Sequence, residues 1–172
     1  MTDRPVRTLI SADRLAARVR EIGAAVTDGP TDAPLTVLGV MTGGLLFLAD
    51  LVRAVERPLQ LGVLHARSYE GTTSGPLSLN LETLPDLRGR RVLVVDDIFD
   101  TGQTLTRIVA ALADRGPASV ETAVILSKRI DRQTDYVPDH VGFEIGDEFV
   151  VGYGLDLDGE YRNLPYVGVV GA

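Results

Sequence analysis

The sequence predicts an α/β protein with an open, mainly parallel sheet flanked by helices. Short apolar runs typical of buried strands alternate with runs whose apolar residues recur at helical spacing. Polar turns follow the apolar runs at 41–44, 68–75, 96–104 and 127–129, and the first three of them contain glycine. Because ligands bind beyond the carboxyl ends of the strands in such sheets, we expect these turns to share one functional edge.

Size and composition narrow the class of protein. A chain of 172 residues predicts a single domain, 1–172. Cysteine is absent, which excludes disulfides and thiolate metal sites. No apolar run approaches the roughly 20 residues of a membrane span, and no signal-type apolar core follows Met1, so we expect a cytoplasmic protein without membrane contact. A net charge of −7 disfavours nucleic acid as the main partner.

The first half of the chain predicts two helices and up to three strands. A helix is predicted over about 12–27 with Ser11 as its cap, because apolar residues recur there at helical spacing. A short strand is predicted at 35–41, and the turn after it leads into a second helix. Residues 59–64 are predicted as the next strand, and the alternation at 77–81 indicates a possible further one.

The second half begins with the expected centre of the sheet. A buried strand is predicted at 91–95, a helix at 103–115 and another buried strand at 120–126. The tail then predicts short strands near 141–145, 149–153 and 166–170.

The most informative segment is 92–105, where an apolar strand is followed by acids and a Thr-Gly-x-Thr turn. Asp96 and Asp97 are adjacent, and Asp100 follows closely. Gly102 permits a backbone geometry closed to other residues, and the N–H groups that begin the next helix favour an anion. Acids beside an anion site predict a ligand with both hydroxyls and a phosphate, together with a divalent metal.

This segment resembles the phosphoribosyl-diphosphate (PRPP) motif of type I phosphoribosyltransferases. The resemblance implies that Asp96 and Asp97 bind the ribose hydroxyls and a hydrated Mg²⁺. It also implies a 5′-phosphate site formed by Asp100, Thr101, Gly102, Gln103 and Thr104. Asp100 would lie nearest the base and would act as general base on the proton at purine N7. The structural alternative is an acidic turn before a capped helix.

The tail, from Val141 to Tyr166, resembles the hypoxanthine-guanine branch of that family, in which it forms a small hood over the purine. The resemblance implies that Phe149 stacks on the base and that the Val150 backbone contacts the base edge. It further implies that Asp156 binds a metal ion and that Arg162 contacts pyrophosphate. The alternatives are a core aromatic for Phe149 and solvated surface charge for the other two.

Lys128 is the single lysine of the chain and comes just after the strand at 120–126. The resemblance implies that it donates to the exocyclic oxygen of a 6-oxopurine. A donor-only group suits an oxygen and disfavours an amino group at that position. An ordinary surface lysine is the alternative.

Two further segments are assigned by resemblance. Thr42 and Gly43 would bind the pyrophosphate of PRPP through backbone N–H groups, whereas many relatives carry a lysine or arginine in place of Thr42. Ser68 and Tyr69 match the residues of a lid, which would cover 68–76 and exclude water from the site.

The implied reaction is purine salvage, in which PRPP and hypoxanthine or guanine give the nucleoside monophosphate and pyrophosphate. The resemblance also implies a homodimer or homotetramer. Two other interpretations stay open from the sequence. One is an enzyme of the same fold that prefers xanthine, and the other is a nucleotide-sensing regulator on this scaffold that binds nucleic acid.

Overall fold

The computed structural model describes residues 5–67, 78–131 and 134–171. Its helices are α1 (Ala12–Asp28), α2 (Leu45–Ala54) and α3 (Gln103–Ala113). Its strands are β1 (Val6–Ile10), β2 (Leu35–Met41), β3 (Leu59–Arg67), β4 (Ser78–Asn80), β5 (Arg91–Phe99), β6 (Ser119–Lys128), β7 (His140–Ile145), β8 (Val150–Val151) and β9 (Val167–Val170).

The main sheet has six strands in the order β4-β3-β2-β5-β6-β7. All its neighbouring strands are parallel except β4, which pairs with β3 in the antiparallel sense. This confirms the predicted open, mainly parallel sheet. The strand order reverses direction between β2 and β5, and a crevice at such a point is where α/β sheets bind their ligands.

Helices cover both faces of this sheet, and β5 shows the division. Leu93 and Val95 point into a core formed with α1 and α2. Val92 and Val94 point into a second core formed with α3. Strand side chains alternate between the two faces, so a strand at the centre of the sheet must be apolar throughout, as 92–95 is.

The first helix agrees with its prediction. Ser11 caps α1, and its hydroxyl oxygen accepts a hydrogen bond from the Arg14 N–H at 3.4 Å. The apolar positions of the predicted pattern all lie on the buried face: Leu15, Val19, Ile22 and Val26.

The central strand is longer than the sequence predicts. It was expected to end at residue 95, yet β5 continues to Phe99 because β6 pairs with it as far as Phe99 and Ser127. Asp96 and Asp97 therefore belong to the strand rather than to a loop after it. The ladder holds their backbone in a fixed register, and the loop proper begins at Asp100.

A second, smaller sheet has the order β1-β9-β8, and all its strands are antiparallel. We call it the hood sheet. The tail strands β8 and β9 were predicted, but β1 was not. Val6 pairs with Val170 and Ile10 with Val167, so residues from both halves of the sequence build the hood.

None of the helices in the described parts of the chain is both long enough and apolar enough to cross a membrane.

Candidate active site

A cleft of about 270 Å³ opens at the carboxyl ends of β2 and β5, the edge predicted to carry function. It brings together the acid pair, the Thr-Gly-x-Thr turn and the turn after β2. Its lining residues are Val40, Met41, Gly43, Ala66, Asp96, Asp97, Ile98, Phe99, Asp100, Thr101, Gly102, Thr104 and Leu105.

The acid pair forms the floor of the cleft. Asp96 is buried, with 8% of its surface exposed. Its carboxylate accepts a hydrogen bond from the Asp97 N–H at 2.9 Å, and the Asp97 carboxylate accepts one from the Ile98 N–H at 2.8 Å. Burial, followed by the charge of Asp97, raises the pKa of Asp96 well above its usual value. Burial also raises the pKa of Asp97, against its hydrogen bonds and the charge of Arg162.

This pair has the properties of a cation site. Across the described residues, no basic side chain forms an ion pair with Asp96 or Asp97. Adjacent carboxylates, one buried as Asp96 is and one half-buried as Asp97 is, are costly when both are charged unless a cation offsets their charge. The described residues form no cluster of three or more metal-type ligands. One or two carboxylates, with water and substrate oxygens as the other ligands, is the coordination that Mg²⁺ prefers.

The Thr-Gly-x-Thr turn depends on its glycine. Gly102 has φ +83°, the left-handed conformation, and directly precedes α3. A Cβ there would lie 2.2 Å from Thr134 Cγ2 and 2.8 Å from Phe99 Cζ. Thr101 and Thr104 line the cleft, and α3 begins at Gln103. The N-terminus of the helix therefore faces the cleft and makes it suited to an anion.

The turn after β2 lies against the acids. A Cβ on Gly43 would stand only 1.7 Å from Asp97 Oδ2. On its other side, a Cβ on Gly154 would stand 2.1 Å from the Gly43 carbonyl oxygen. Thr42 is exposed, and the Met41–Thr42 peptide bond is cis. The turn is therefore packed between the acid pair and the tail.

Lys128 is the last residue of β6 and lies among carboxylates. Its Nζ is 3.4 Å from Asp100 Oδ2 and 3.5 Å from Asp147 Oδ1. Only 13% of its side chain is exposed, which excludes the surface-lysine alternative. The sequence did not single out Asp147. Its position two residues before Phe149 was the one available signal.

The tail presents one aromatic ring to solvent. Phe149 is 54% exposed, so it is not a core aromatic. The next residue, Val150, begins β8 and is 5% exposed. An exposed aromatic ring next to a buried strand residue can present its face to a planar ligand.

Asp156 and Arg162 were each predicted to contact ligands, and they form an ion pair with each other at 2.7 Å. Asp156 also accepts a hydrogen bond from the Gly159 N–H at 2.8 Å, and Arg162 donates one to the Gly154 carbonyl oxygen at 2.5 Å. Both side chains are about one-third exposed. The charge of Arg162 also acts on Asp97, so this arginine connects the tail electrostatically to the acid pair.

Two predicted residues, Ser68 and Tyr69, lie outside the described residues together with the rest of the lid segment up to residue 76.

Known proteins match this chain over most of its length. The family described as phosphoribosyl transferase domain matches residues 9–158. A hypoxanthine-guanine phosphoribosyltransferase of Bacillus subtilis is 37% identical over 95% of this chain and 92% of its own length. A hypoxanthine phosphoribosyltransferase of Salmonella typhimurium is also 37% identical, over 96% of this chain and 95% of its own length.

A solved structure agrees with these matches. The crystal structure of a hypoxanthine phosphoribosyltransferase from Staphylococcus aureus superimposes with a TM-score of 0.90 at 34% identity. It covers 95% of this chain, which in turn spans 90% of that structure. On sequence and on fold, the chain belongs to the phosphoribosyl transferase family.

Proposed function

We propose that the protein transfers the 5-phosphoribosyl group from PRPP to hypoxanthine or guanine, giving IMP or GMP and pyrophosphate. The observation that carries this proposal is the Asp96–Asp97 pair, with Asp96 buried and Asp97 half-buried, facing the Thr-Gly-x-Thr turn across one cleft. Beside this cleft, Lys128 at the end of β6 forms an ion pair with Asp100. Relatives that share over a third of the sequence across nearly the whole chain carry names for this activity.

PRPP would occupy the cleft. Its 5′-phosphate would be held by residues 100–104, where the N-terminus of α3 and two threonines favour an anion. Its ribose hydroxyls would donate hydrogen bonds to Asp96 and Asp97. Its pyrophosphate would lie at Thr42 and Gly43, where backbone N–H groups are the donors, with Arg162 supplying positive charge from the tail.

The purine would bind between β6 and the tail. Phe149 would stack on the ring, and the Val150 backbone would contact its edge. Lys128 would donate a hydrogen bond to the exocyclic oxygen at C6. Since an ammonium group cannot accept, adenine would leave it unsatisfied, and unpaired buried groups discriminate strongly against the wrong ligand.

The site fits Mg²⁺ on the donor chemistry of its carboxylates, since that ion prefers oxygen ligands. Asp96 and Asp97 would hold a hydrated ion with the ribose and pyrophosphate oxygens, and Asp156 would hold a second at the base side once ligand displaces its pairing with Arg162. When bound, Mg²⁺ neutralises charge that develops on the leaving pyrophosphate.

Asp100 is the proposed general base. Breaking the bond to pyrophosphate gives an oxocarbenium-like sugar, as in glycoside chemistry. The incoming purine loses the proton at N7 to the Asp100 carboxylate, which Lys128 holds in position from 3.4 Å. A reactive cation must be shielded from water. The proposed lid, with Ser68 and Tyr69, would supply that shielding.

The test is a substrate panel. Purified protein is incubated with PRPP and Mg²⁺ and with hypoxanthine, guanine, xanthine or adenine, and pyrophosphate release is measured. We expect turnover with the first two bases and its loss with EDTA. Turnover restricted to xanthine would support the xanthine-preferring alternative. No turnover with any base, combined with tight binding of an RNA, would contradict the enzyme assignment.

We also propose that the chain is a single cytoplasmic domain that forms a homodimer or homotetramer. Leu61 and Val63 of β3 point to the same sheet face as α1 and α2, since Leu61 pairs with the buried Val37. Yet they are 52% and 40% exposed. The edge of the sheet thus carries an apolar strip that a second copy would cover.

A further inference from the structure

The backbone of the tail makes an unusual turn between the proposed purine site and the proposed pyrophosphate site. Gly152, Tyr153 and Gly154 follow one another with φ values of +92°, +50° and +103°. The two glycines adopt this left-handed region freely, but a tyrosine does so at a cost in free energy. Something outside the local backbone must therefore hold Tyr153 in place.

The side chain of Tyr153 supplies that constraint. The residue is 6% exposed, and its hydroxyl donates a 2.8 Å hydrogen bond to Asp50 Oδ2 on α2. Its backbone N–H donates to the Leu164 carbonyl oxygen at 2.8 Å. Burial, together with Asp50, raises the pKa of Tyr153 above its usual value, so the phenol stays protonated and remains a donor. Asp50 also pairs with Arg53, which lies on the surface.

The neighbours of Tyr153 on both sides belong to the proposed site. Three residues before it, Val150 is the backbone position assigned to the base edge. One residue after it, Gly154 packs against the Gly43 carbonyl oxygen and accepts a hydrogen bond from Arg162. On the other side of the hydrogen bond, Asp50 lies on the helix that begins directly after the Gly43 turn. The Tyr153–Asp50 bond therefore joins the two subsites through α2.

We propose that Tyr153 is a positioning residue for the purine, which fixes residues 150–154 against α2 through its hydrogen bond to Asp50. The proposal rests on the proposed function for its kinetic readout. It assigns no substrate contact to Tyr153 itself. Its consequence is that the hood is already in place before the base arrives, so little binding energy is spent on ordering it.

The chain offers variants that separate this role from simple packing. Tyr153→Phe keeps the ring and removes only the hydroxyl. Asp50→Asn keeps an acceptor oxygen, while Asp50→Ala removes it with the tyrosine intact. Arg53→Gln is the matched control, because it removes the ion pair to Asp50 and leaves the Tyr153 bond. Surface ion pairs of this kind contribute little free energy.

The first measurement is steady-state kinetics at saturating PRPP. In Tyr153→Phe and Asp50→Ala we expect KM for hypoxanthine to rise about tenfold with kcat within about twofold, as for a lost hydrogen bond to a charged group. Asp50→Asn and Arg53→Gln should stay within about twofold of wild type in both parameters. In the double variant Tyr153→Phe/Asp50→Ala, the two effects should not add, because both remove the same bond.

The second measurement is hydrogen exchange of the ligand-free protein, which needs no activity. Amides of residues 150–154 should exchange faster in Tyr153→Phe and Asp50→Ala, while the peptide covering β6 stays unchanged. If wild type turns over no base, the proposed function fails, and exchange alone decides the positioning role. Exchange of residues 150–154 at the wild-type rate in both variants would overturn that role. An unchanged KM for hypoxanthine in active variants would overturn it too. A uniform rise in exchange across β6 would also overturn it, since that marks a general loss of stability.

Discussion

Two opposite charges at the carboxyl ends of neighbouring strands govern the proposed chemistry. Asp100 lies in the loop after β5, and Lys128 is the last residue of β6. The distance from Asp100 Oδ2 to Lys128 Nζ is 3.4 Å. In the proposed mechanism, the lysine holds the carboxylate toward the base. Each side chain is assigned a different step, proton removal for Asp100 and base selection for Lys128, so their variants should fail differently.

Asp100→Asn should lower kcat and leave PRPP binding nearly intact. Asparagine keeps the size of the side chain but cannot take a proton, and positioned proton transfer contributes roughly 10²–10⁴-fold. Single-turnover and steady-state kinetics with hypoxanthine measure the effect. Asp114→Asn, at an exposed position after α3, is the control. A kcat for Asp100→Asn within about twofold of the control would remove Asp100 from the role of base.

Lys128→Met should damage the use of hypoxanthine and guanine without a comparable loss of PRPP affinity. A donor is lost where the C6 oxygen would lie, and the expected fall in kcat/KM is about 10²-fold or more. Arg129→Met is the matched control, because Arg129 is the next residue and its side chain pairs with Glu144 at an exposed position. Efficient adenine turnover by wild type would contradict the lysine assignment.

At the level of single residues, the sequence could predict side chains that a short motif contains. The acid pair and Lys128 lie near the carboxyl ends of strands that the apolar runs already indicate, and Gly102 lies just after one of them. Tyr153 and Asp147 could not be found in this way. Their partners, Asp50 and Lys128, lie 103 and 19 residues away in sequence, and nothing local shows that the fold brings them together.

Among the elements, the turn between β2 and α2 leaves no room for a side chain at Gly43. Gly43→Ala should weaken PRPP binding, and the binding free energy lost should exceed the folding free energy lost. The reason is that the added Cβ would stand 1.7 Å from Asp97 Oδ2 and displace that carboxylate. PRPP binding by calorimetry and Tm together measure the two effects.

Gly89→Ala is the control for Gly43→Ala. It lies before β5 with φ +67° and with nothing within 4 Å of an added Cβ. It should cost about 1 kcal/mol of stability through backbone strain and leave PRPP binding unchanged. Normal PRPP affinity in Gly43→Ala would show that the turn can move without disturbing the acids.

The helices and central strands were predictable because their apolar periodicity is local. The carboxyl end of β5 was not, since Asp96 and Asp97 interrupt the apolar run and pairing to β6 carries the strand on to Phe99. β1 was missed for a related reason. Its residues are mostly exposed or half-buried, and the strand exists because β9 lies beside it.

Part of the stability of the whole molecule comes from a charge cluster at the amino-terminal edge of the sheet, opposite the cleft. Arg91, which is 3% exposed, donates hydrogen bonds to Glu121 at 2.6 and 2.8 Å. This pairing lowers the pKa of Glu121 from its usual 4.5. His140 Nε2 faces the same carboxylate from β7 at 3.6 Å. The folded protein therefore binds fewer protons at Glu121 than the unfolded chain does in acid.

Glu121→Gln should destabilise the protein by about 2 kcal/mol at pH 7. In wild type, the contribution of the carboxylate is complete above about pH 4.5 and is lost as the pH falls through the lower folded pKa. The difference between wild type and variant should therefore shrink over that acid range. Urea unfolding from pH 7 to pH 3 measures it, with the exposed Glu82→Gln as control. A difference independent of pH would contradict this account.

Assembly should depend on the apolar strip of β3. Leu61→Lys together with Val63→Lys should lower the oligomer mass in light scattering, because charges cannot be buried cheaply in an interface. Val137→Lys is the control, since Val137 is an exposed apolar residue elsewhere, at 65%. A mass equal to that of the control would place the interface on another surface.

The pairing of β1 with β9 also sets an order of events in time. The hood sheet cannot form until Val170 has been synthesised, because Val6 pairs with it. At roughly 5–20 residues per second, a ribosome takes on the order of ten seconds or more to make the chain between them. The central strands and the phosphate turn are all translated earlier. A nascent chain would therefore hold most of the proposed PRPP cleft, together with Lys128, while the hood sheet is still missing, so the surface proposed to stack on the purine would be the last part of the site to form.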